Sequence, residues 1–216
     1  MIVAGVDEAG RGSVLGPLVV AGIKIKSSKV KHLLALGVTD SKKLVPKERE
    51  RLYKEIMKIA DDYYIHVLKP ADIDRSVAVK ALNSLEAAAM STVINRLRPK
   101  VAYVDSCDVN PARFRETIAS TLKCKARIDS RHHADSDNVV VSAASILAKV
   151  RRDREIAKLR RKMGNIGSGY PSDKKTMRYI RKWIHKHKMA PNFARSSWKP
   201  VRQMLDGYAQ MKLSKF

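Results

Sequence analysis

Short apolar runs alternate with longer amphipathic stretches along most of the chain. Ile2–Val6 and Leu18–Ile25 are rich in β-branched residues, and the glycines between them favour a turn, so the pattern predicts two strands joined as a hairpin. Each run is short and bounded by polar or turn residues, as is typical of buried strands. Further strands are predicted at Tyr63–Leu68, Val101–Val104 and Lys125–Ile128.

Apolar positions that recur every three or four residues predict helices between and after these strands. The predicted helices are Lys47–Ala60, Ala78–Leu97, Pro111–Leu122, Asn138–Met163, Lys174–Lys188 and Trp198–Met211. Strands that come first and then alternate with helices indicate an α/β fold, with a central mixed β-sheet flanked by helices. We expect an α/β core over residues 1–163 and a basic helical C-terminal lobe, residues 164–216, packed on that core.

Basic residues greatly outnumber acidic residues. The 216 residues include 44 Lys and Arg against 21 Asp and Glu, a formal net charge of +23. Residues 149–216 hold 20 of the basic residues and only 4 of the acidic ones. Such an excess repels itself, so nucleic acid is the expected partner and an acidic membrane surface the weaker alternative. Because the basic tail has few acidic residues for pairing along a helix, we expect it to contact phosphates.

The composition excludes several classes of protein. A chain with 44% hydrophobic and 30% charged residues is typical of a soluble globular protein. No apolar run approaches the roughly 20 residues that a membrane span needs, and the first residues do not resemble a signal peptide. Cys107 and Cys124 are too few for a disulfide framework or a zinc site, although one bridge between them is an alternative. We therefore expect a reduced, cytoplasmic protein that does not bind a membrane.

Acidic residues stand at the ends of predicted buried strands. Asp7 and Glu8 follow the first strand, Asp105 follows Val101–Val104, and Asp135 precedes the long helix. Open α/β sheets bind ligands at the carboxyl ends of their strands, and gathered carboxylates repel each other unless a cation neutralises them. Oxygen ligands select Mg²⁺ or Mn²⁺, and with nucleic acid as partner they indicate two-metal phosphodiester hydrolysis. An aspartate at a strand end is also a common cap or turn residue, so spacing alone leaves both interpretations open.

Asp7 and Glu8 raise a geometric difficulty. Adjacent side chains on a regular strand point to opposite faces of the sheet. Both can reach one metal site only if the strand ends or bulges at this point, which Gly5, Gly10 and Gly12 would permit. We therefore expect the first strand to be interrupted at Asp7.

Four motifs carry a resemblance to a known family. They are Asp7–Gly12 (DEAGRG), Asp40–Leu44 (DSKKL), Ser142–Arg152 (SAASILAKVRR) and Gly167–Asp173 (GSGYPSD). In these motifs and their order, the chain from Ile2 to about Lys199 resembles ribonuclease HII, the type 2 ribonuclease H, in its archaeal form. The resemblance implies a ribonuclease H-like fold and hydrolysis of the RNA strand of RNA–DNA hybrids. It also implies incision 5′ to single ribonucleotides in duplex DNA, which leaves 5′-phosphate and 3′-hydroxyl ends.

The resemblance also assigns roles to individual residues. It implies a catalytic site for two Mg²⁺ or Mn²⁺ ions, formed by Asp7, Glu8, Asp105 and Asp135. It implies substrate binding by Gly10, Arg11, Gly12, Lys42, Lys43 and Tyr170. In this assignment the glycine loop reads the ribose 2′-hydroxyl, the tyrosine stacks on the following sugar, and the two lysines bind phosphates. From residue type alone, a turn aromatic beside a proline is the favoured interpretation of the tyrosine, and the lysines are equally solvated.

Two residues depart from the family pattern. Ser13 stands where proline is frequent, and His133 stands where lysine is usual.

Two other functions are alternatives to the ribonuclease. A non-catalytic basic RNA-binding protein explains the charge equally well, and a junction-resolving nuclease on the same fold would share the carboxylates. The Gly-Arg-Gly and Gly-Tyr-Pro sequences favour the ribonuclease. We expect a monomer whose partners are RNA–DNA hybrid and ribonucleotide-containing duplex DNA.

Overall fold

A computed structural model of the chain describes residues 1–38 and 44–213, with side chains up to Gln210. Within these ranges the strands are β1 (Ile2–Ala9), β2 (Leu18–Lys26), β3 (Asp62–Leu68), β4 (Val101–Asp105) and β5 (Arg127–Arg131). The helices there are α1 (Val30–Ala35), α2 (Pro46–Ile59), α3 (Pro70–Ala78), α4 (Leu82–Leu97), α5 (Pro111–Ser120), α6 (Ala134–Asp137), α7 (Val139–Met163), α8 (Lys174–His187) and α9 (Lys199–Leu213). None of these described helices is long and apolar enough to cross a membrane.

The strands form one mixed sheet in the order β3-β2-β1-β4-β5. β1 pairs with β2 in antiparallel fashion, as expected for a hairpin, and β4 is parallel to both β1 and β5. The predicted α/β class with a mixed sheet is therefore confirmed. The parallel pairing brings the carboxyl ends of β1, β4 and β5 to the same edge of the sheet, which we call the carboxylate edge.

The chain forms two compact units, and each unit consists of three separate segments of the sequence. The first unit comprises Met1–Ala9, Val19–Val67 and Asn83–Arg151. The second unit comprises Gly10–Leu18, Leu68–Leu82 and Arg152–Phe216. The predicted boundary after Met163 therefore lies inside the second unit, which also includes two segments from the first half of the chain. Because the second unit is assembled from three distant segments, no single change in composition along the sequence marks where it begins or ends.

The core of the first unit packs the sheet against α2 and α7. A Cβ atom on Gly5 of β1 would overlap the Val140 carbonyl oxygen of α7, so only glycine allows this approach of helix to strand. The small residues Ser142–Ser145 of α7 are all buried, in agreement with close helix–sheet packing. Buried aliphatic residues of this core include Val19, Ile23, Ile25, Leu52, Ile56, Ile146 and Leu147.

The second unit has an aliphatic core of its own. Leu15 pairs with Ala194 in an isolated antiparallel bridge, which joins the loop after β1 to the segment before α9. Partly buried aromatic residues, Phe193 and Trp198 among them, pack against this core. The fully packed residues are Val14, Leu15, Ile156, Ile166, Ile180, Ile184, Ala194 and Val201.

The predicted helix Ala78–Leu97 begins later in the structure, after a helix that was not predicted. It corresponds to α4, which begins at Leu82, and α3 precedes it over Pro70–Ala78. Lys80 adopts a left-handed backbone with φ 55°, which ends α3 before α4 begins. The other predicted helices agree with the structure to within a few residues at their ends.

Candidate active site

β1 continues through the two acidic residues without interruption. Its antiparallel pairing with β2 extends to Ala9 and Val19, and Asp7 and Glu8 lie opposite Ala21 and Val20 in regular register. The expected break or bulge at Asp7 is therefore wrong, because the ladder with β2 holds the backbone extended. On the other side of β1, the pairing with β4 ends just before Asp7, at Val6.

Asp7 and Asp105 are neighbours at the carboxylate edge. The last pair of the β1–β4 ladder is Val6 with Val104, so each aspartate is the next residue beyond that pair. Adjacent strands are about 4.8 Å apart, which brings the two residues side by side. Asp105 Oδ1 also accepts a hydrogen bond of 2.7 Å from the Ala134 backbone N–H. That bond ties the residue before Asp135 to the end of β4.

Asp135 is buried in the short helix α6, immediately before α7. Its backbone carbonyl accepts a hydrogen bond of 2.5 Å from the Ser142 hydroxyl, which links α6 to the small-residue face of α7. The structure thus brings Asp7, Asp105 and Asp135 together in the first unit. Glu8, which is half-buried, is the next residue along β1.

The three aspartates affect each other electrostatically. Burial, followed by the negative charge of Asp105 and then that of Asp135, raises the pKa of Asp7 to about 7. Hydrogen bonds from the Ser145 hydroxyl and from the Glu8 backbone N–H, the latter 2.7 Å long, act in the opposite direction. Near neutral pH the protein's own groups therefore leave Asp7 only partly ionised, and a cation beside it would favour the charged form.

The donor chemistry of this edge suits a hard divalent cation. Carboxylate oxygens are the ligands that Mg²⁺ and Mn²⁺ prefer, and like charges held together in a buried place are relieved by a cation. As the side chains lie, no group of three or more His, Cys, Asp or Glu residues in the described ranges is close enough to hold a metal ion. Binding would therefore require the carboxylates to adjust around the ion.

The loop from Gly10 to Gly16, in the second unit, is closed by its own hydrogen bonds. Gly10 has φ 88° and Gly16 has φ 82°, a left-handed conformation that favours glycine. The buried Ser13 donates to the Gly10 carbonyl from its backbone N–H, at 3.2 Å, and from its hydroxyl, at 2.9 Å. Proline could make neither bond, so the departure at Ser13 fits the loop.

Arg195 holds the same loop from the C-terminal part of the second unit. This fully buried side chain donates to the Arg11 carbonyl at 2.7 Å and to the Gly16 carbonyl at 3.2 Å. Gly12 is exposed, and a Cβ atom on it would have no neighbour within 4 Å. The loop therefore has a fixed base and an open outer side.

The Gly167–Asp173 turn, also in the second unit, is organised by its last residue. Asp173 accepts hydrogen bonds from the backbone N–H groups of Ser168, at 2.5 Å, and Lys175, at 2.9 Å. The bond from Ser168 is the largest of the interactions that lower the pKa of Asp173 to about 2. The half-buried Tyr170 ring lies over the Arg152 guanidinium, 4.3 Å from the ring centroid.

Lys42 and Lys43 lie outside the described residues, so their assignment to phosphates stays a prediction.

Three residues that organise the loops were not predicted as site residues: Arg152, Asp173 and Arg195. A basic stretch of sequence does not distinguish a buried arginine from a solvated one. The available signal was position: two of the three lie at the end of a motif.

A mixed sheet with carboxylates at the ends of adjacent parallel strands is typical of α/β proteins that bind divalent metal ions. The chain matches the Ribonuclease HII family over residues 4–201. It is 52% identical to a ribonuclease HII of Cenarchaeum symbiosum, over 94% of this chain and 97% of that one. It is 48% identical to a ribonuclease HII of Methanoregula boonei over 100% of both chains.

The chain therefore belongs to the ribonuclease HII family. It is a metal-dependent endoribonuclease of the kind that cleaves the RNA of RNA–DNA hybrids and ribonucleotides in DNA. The resemblance found in the four sequence motifs is confirmed.

Solved structures confirm the ribonuclease H-like fold. The crystal structure of ribonuclease H2 from Pyrococcus horikoshii OT3 matches with a TM-score of 0.91 at 42% identity, over 97% of this chain and 100% of that one. The ribonuclease HII of Archaeoglobus fulgidus, solved in complex with PCNA, matches with a TM-score of 0.85 at 41% identity, over 92% and 96%. A Bst-RNase HIII solved in complex with Mn²⁺ shares the fold at 21% identity, with a TM-score of 0.82 over 97% and 71%.

Proposed function

We propose that this enzyme cuts on the 5′ side of a ribonucleotide, both in RNA–DNA hybrids and at single ribonucleotides in duplex DNA. Asp7, Glu8, Asp105 and Asp135 would hold two Mg²⁺ or Mn²⁺ ions. The end of β1 would have to adjust around the ions, because a regular strand directs the Glu8 side chain to the face opposite that of Asp7. The products would carry 5′-phosphate and 3′-hydroxyl ends. We further propose that one chain acts alone, in the cytoplasm.

The observation that carries this proposal is the pairing of Asp7 with Asp105 at the carboxylate edge. Both follow the last pair of the β1–β4 ladder, and burial together with the charges of Asp105 and Asp135 raises the pKa of Asp7 to about 7. A buried carboxylate with a raised pKa beside like charges is typical of a functional site. A protein that only binds RNA would have no use for this costly arrangement.

The chain's own groups orient the carboxylates. Asp7 Oδ1 accepts a hydrogen bond from the Glu8 backbone N–H, and Asp105 Oδ1 accepts one from the Ala134 backbone N–H. Divalent ions bound here would supply an activated water and would stabilise the leaving oxygen of the phosphodiester. Their preferred element and their number are part of the proposal.

The second unit supplies the proposed recognition of the ribonucleotide. Gly10 follows Glu8 by two residues, and the Gly10–Gly12 segment has an exposed, unobstructed outer side at Gly12. Backbone amides without a Cβ can approach a sugar closely, and the 2′-hydroxyl is the local difference between RNA and DNA. Tyr170 would stack on the sugar that follows, and Lys42 and Lys43 would bind phosphates.

The test is cleavage of a DNA duplex that contains one ribonucleotide, with Mg²⁺ or Mn²⁺ and with a chelator. We expect a single nick 5′ to the ribonucleotide that is absent with chelator and absent on an all-DNA duplex. Cleavage of long hybrids alone would contradict the assignment of Gly10–Gly12 and Tyr170. Tight binding without a cut under either ion would overturn the proposed site.

A further inference from the structure

Arg152 is a basic residue of the C-terminal stretch that is removed from solvent. Its side chain is only 3% exposed, although neighbouring basic residues along α7 are more open. Nη2 donates to the Ser168 carbonyl at 2.8 Å, and Nη1 donates to Asp153 Oδ1 at 3.2 Å. A guanidinium used in this way is not available to a phosphate.

The same side chain touches both loops of the second unit that the proposed function assigns to the substrate. A Cβ atom on Gly10 would lie 3.2 Å from Arg152 Cγ, and one on Gly169 would lie 2.9 Å from Nη2. Both glycines have positive φ, 88° and 86°, and both lack a side chain where the arginine passes. Arg152 therefore occupies the space between the two loops.

The guanidinium also supports the Tyr170 ring, 4.3 Å from its centroid. Arginine beneath an aromatic face is a favourable cation–π arrangement. Because the bond to Ser168 fixes the guanidinium on the turn that carries this ring, rotation of the ring away from the arginine would cost that contact. The position of the ring is thus coupled to the position of Gly10 through one buried side chain.

We propose that Arg152 is a positioning residue that sets the Tyr170 ring relative to the Gly10 loop. It would thereby determine how strongly the enzyme prefers a ribonucleotide followed by DNA over continuous RNA. This inference rests on the proposed function, in which the loop reads the 2′-hydroxyl and the ring tests the next sugar. Arg152 acts through these two elements and does not touch the nucleic acid.

The experiment measures kcat and KM on two substrates, a duplex with one ribonucleotide and a uniform RNA–DNA hybrid, for the wild type, Arg152→Met and Arg152→Lys. We expect the ratio of kcat/KM between the two substrates to fall about tenfold in Arg152→Met, the size of one lost cation–π contact. Arg152→Lys, which keeps a cation under the ring, is expected to recover part of the ratio. A merely structural role would slow both substrates equally.

Three controls make the outcome specific. Arg75→Met removes an exposed arginine of α3 that pairs with Asp72, and we expect it to leave the ratio unchanged. In a Tyr170→Leu background, Arg152→Met should change the ratio no further, since both act through one element. The salt dependence of binding should also be unchanged, whereas loss of a phosphate contact would lower its slope by about 0.9.

The outcomes distinguish a failure of the role proposed for Arg152 from a failure of the proposed function. An unaltered substrate ratio in folded Arg152 variants, or a reduced salt slope, overturns the role of Arg152. If Arg152→Met does not fold, as judged by its melting temperature, the ratio of Arg152→Lys decides. Absence of any cut by the wild-type enzyme overturns the proposed function itself.

Discussion

The carboxylate edge of the first unit and the loops of the second unit shift the pKa of their aspartates in opposite directions. At the edge, burial and the like charges of Asp105 and Asp135 raise the pKa of Asp7 to about 7. In the loops, hydrogen bonds led by the Ser168 backbone N–H lower the pKa of Asp173 to about 2. The charge at the edge is penalised by the protein, and the charge in the loop is stabilised by it.

This difference corresponds to two kinds of site. In the loops, Arg152, Asp173 and Arg195 make hydrogen bonds to backbone groups of Ser168 and Arg11. The edge collects negative charge that the protein only partly compensates, so a cation from outside is what would complete it. The proposed recognition loops and the proposed ion site therefore belong to separate compact units.

The largest expected effect comes from Asp7→Asn. This change removes a proposed metal ligand, and the loss of several kcal/mol of transition-state stabilisation corresponds to about a thousandfold in rate. Cleavage of the single-ribonucleotide duplex under saturating Mg²⁺ measures it, and binding of the hybrid should be retained because a negative charge is removed. Full activity of Asp7→Asn would contradict the assignment of the edge as catalytic.

A divalent ion is expected to stabilise the wild type by about 2.7 kcal/mol when its concentration is a hundred times its dissociation constant. Thermal unfolding with Mn²⁺ and with chelator measures this effect, and Asp7→Asn should show much less of it. In chelator, Asp7 has a folded pKa above its unfolded value of about 3.9, so its contribution to stability is lost as pH rises from about 4 to 7. An equal pH profile for the wild type and Asp7→Asn would remove the contrast between the two regions.

Asp173→Ala is expected to lower the free energy of unfolding by about 1 kcal/mol, because it removes the cap of α8 and an acceptor for Ser168. The folded pKa of Asp173 is depressed, so this stabilisation is present above the unfolded pKa of about 3.9 and is lost as pH falls towards 2. Denaturant unfolding between pH 2 and 6 checks it. Asp206→Ala, an exposed aspartate of α9, is the matched control and should have little effect at any pH.

The smallest effect is expected from Lys182→Gln with Lys186→Gln, two exposed lysines of α8. If both contact phosphates, the slope of log affinity against log salt for hybrid binding falls by about 0.9 per contact, with the melting temperature nearly unchanged. Lys58→Gln, in the first unit, removes one positive charge from an exposed site and should leave the slope as it is. Equal slopes for all three proteins would show that this helix does not touch the backbone of the nucleic acid.

Much of the fold follows from local pattern. The hairpin of β1 and β2 and the buried strand β4 were predicted from short apolar runs with clear boundaries, and the helices α2, α7 and α8 from apolar positions that recur every three or four residues. Helix α3 was not predicted, and neither was the start of α4 at Leu82, since the left-handed residue Lys80 between them stands in a stretch that otherwise favours helix. The four carboxylates of the site were candidates from their positions near strand ends, but only the resemblance to a family assigned them as ligands, because an aspartate at a strand end has several ordinary uses.

The sequence by itself determined the α/β class, the excess of positive charge and the residue types at the ends of the strands. The tertiary structure alone decided which residues meet. Asp7 lies beside Asp105 because both follow the last pair of the β1–β4 ladder. Arg195 donates to the carbonyl of Arg11, which is 184 residues away in the sequence. Local preferences act over a few residues and can be read from their order. Partners this far apart are selected by the packing of the whole unit, where a buried charge is kept only if the fold supplies an acceptor for it.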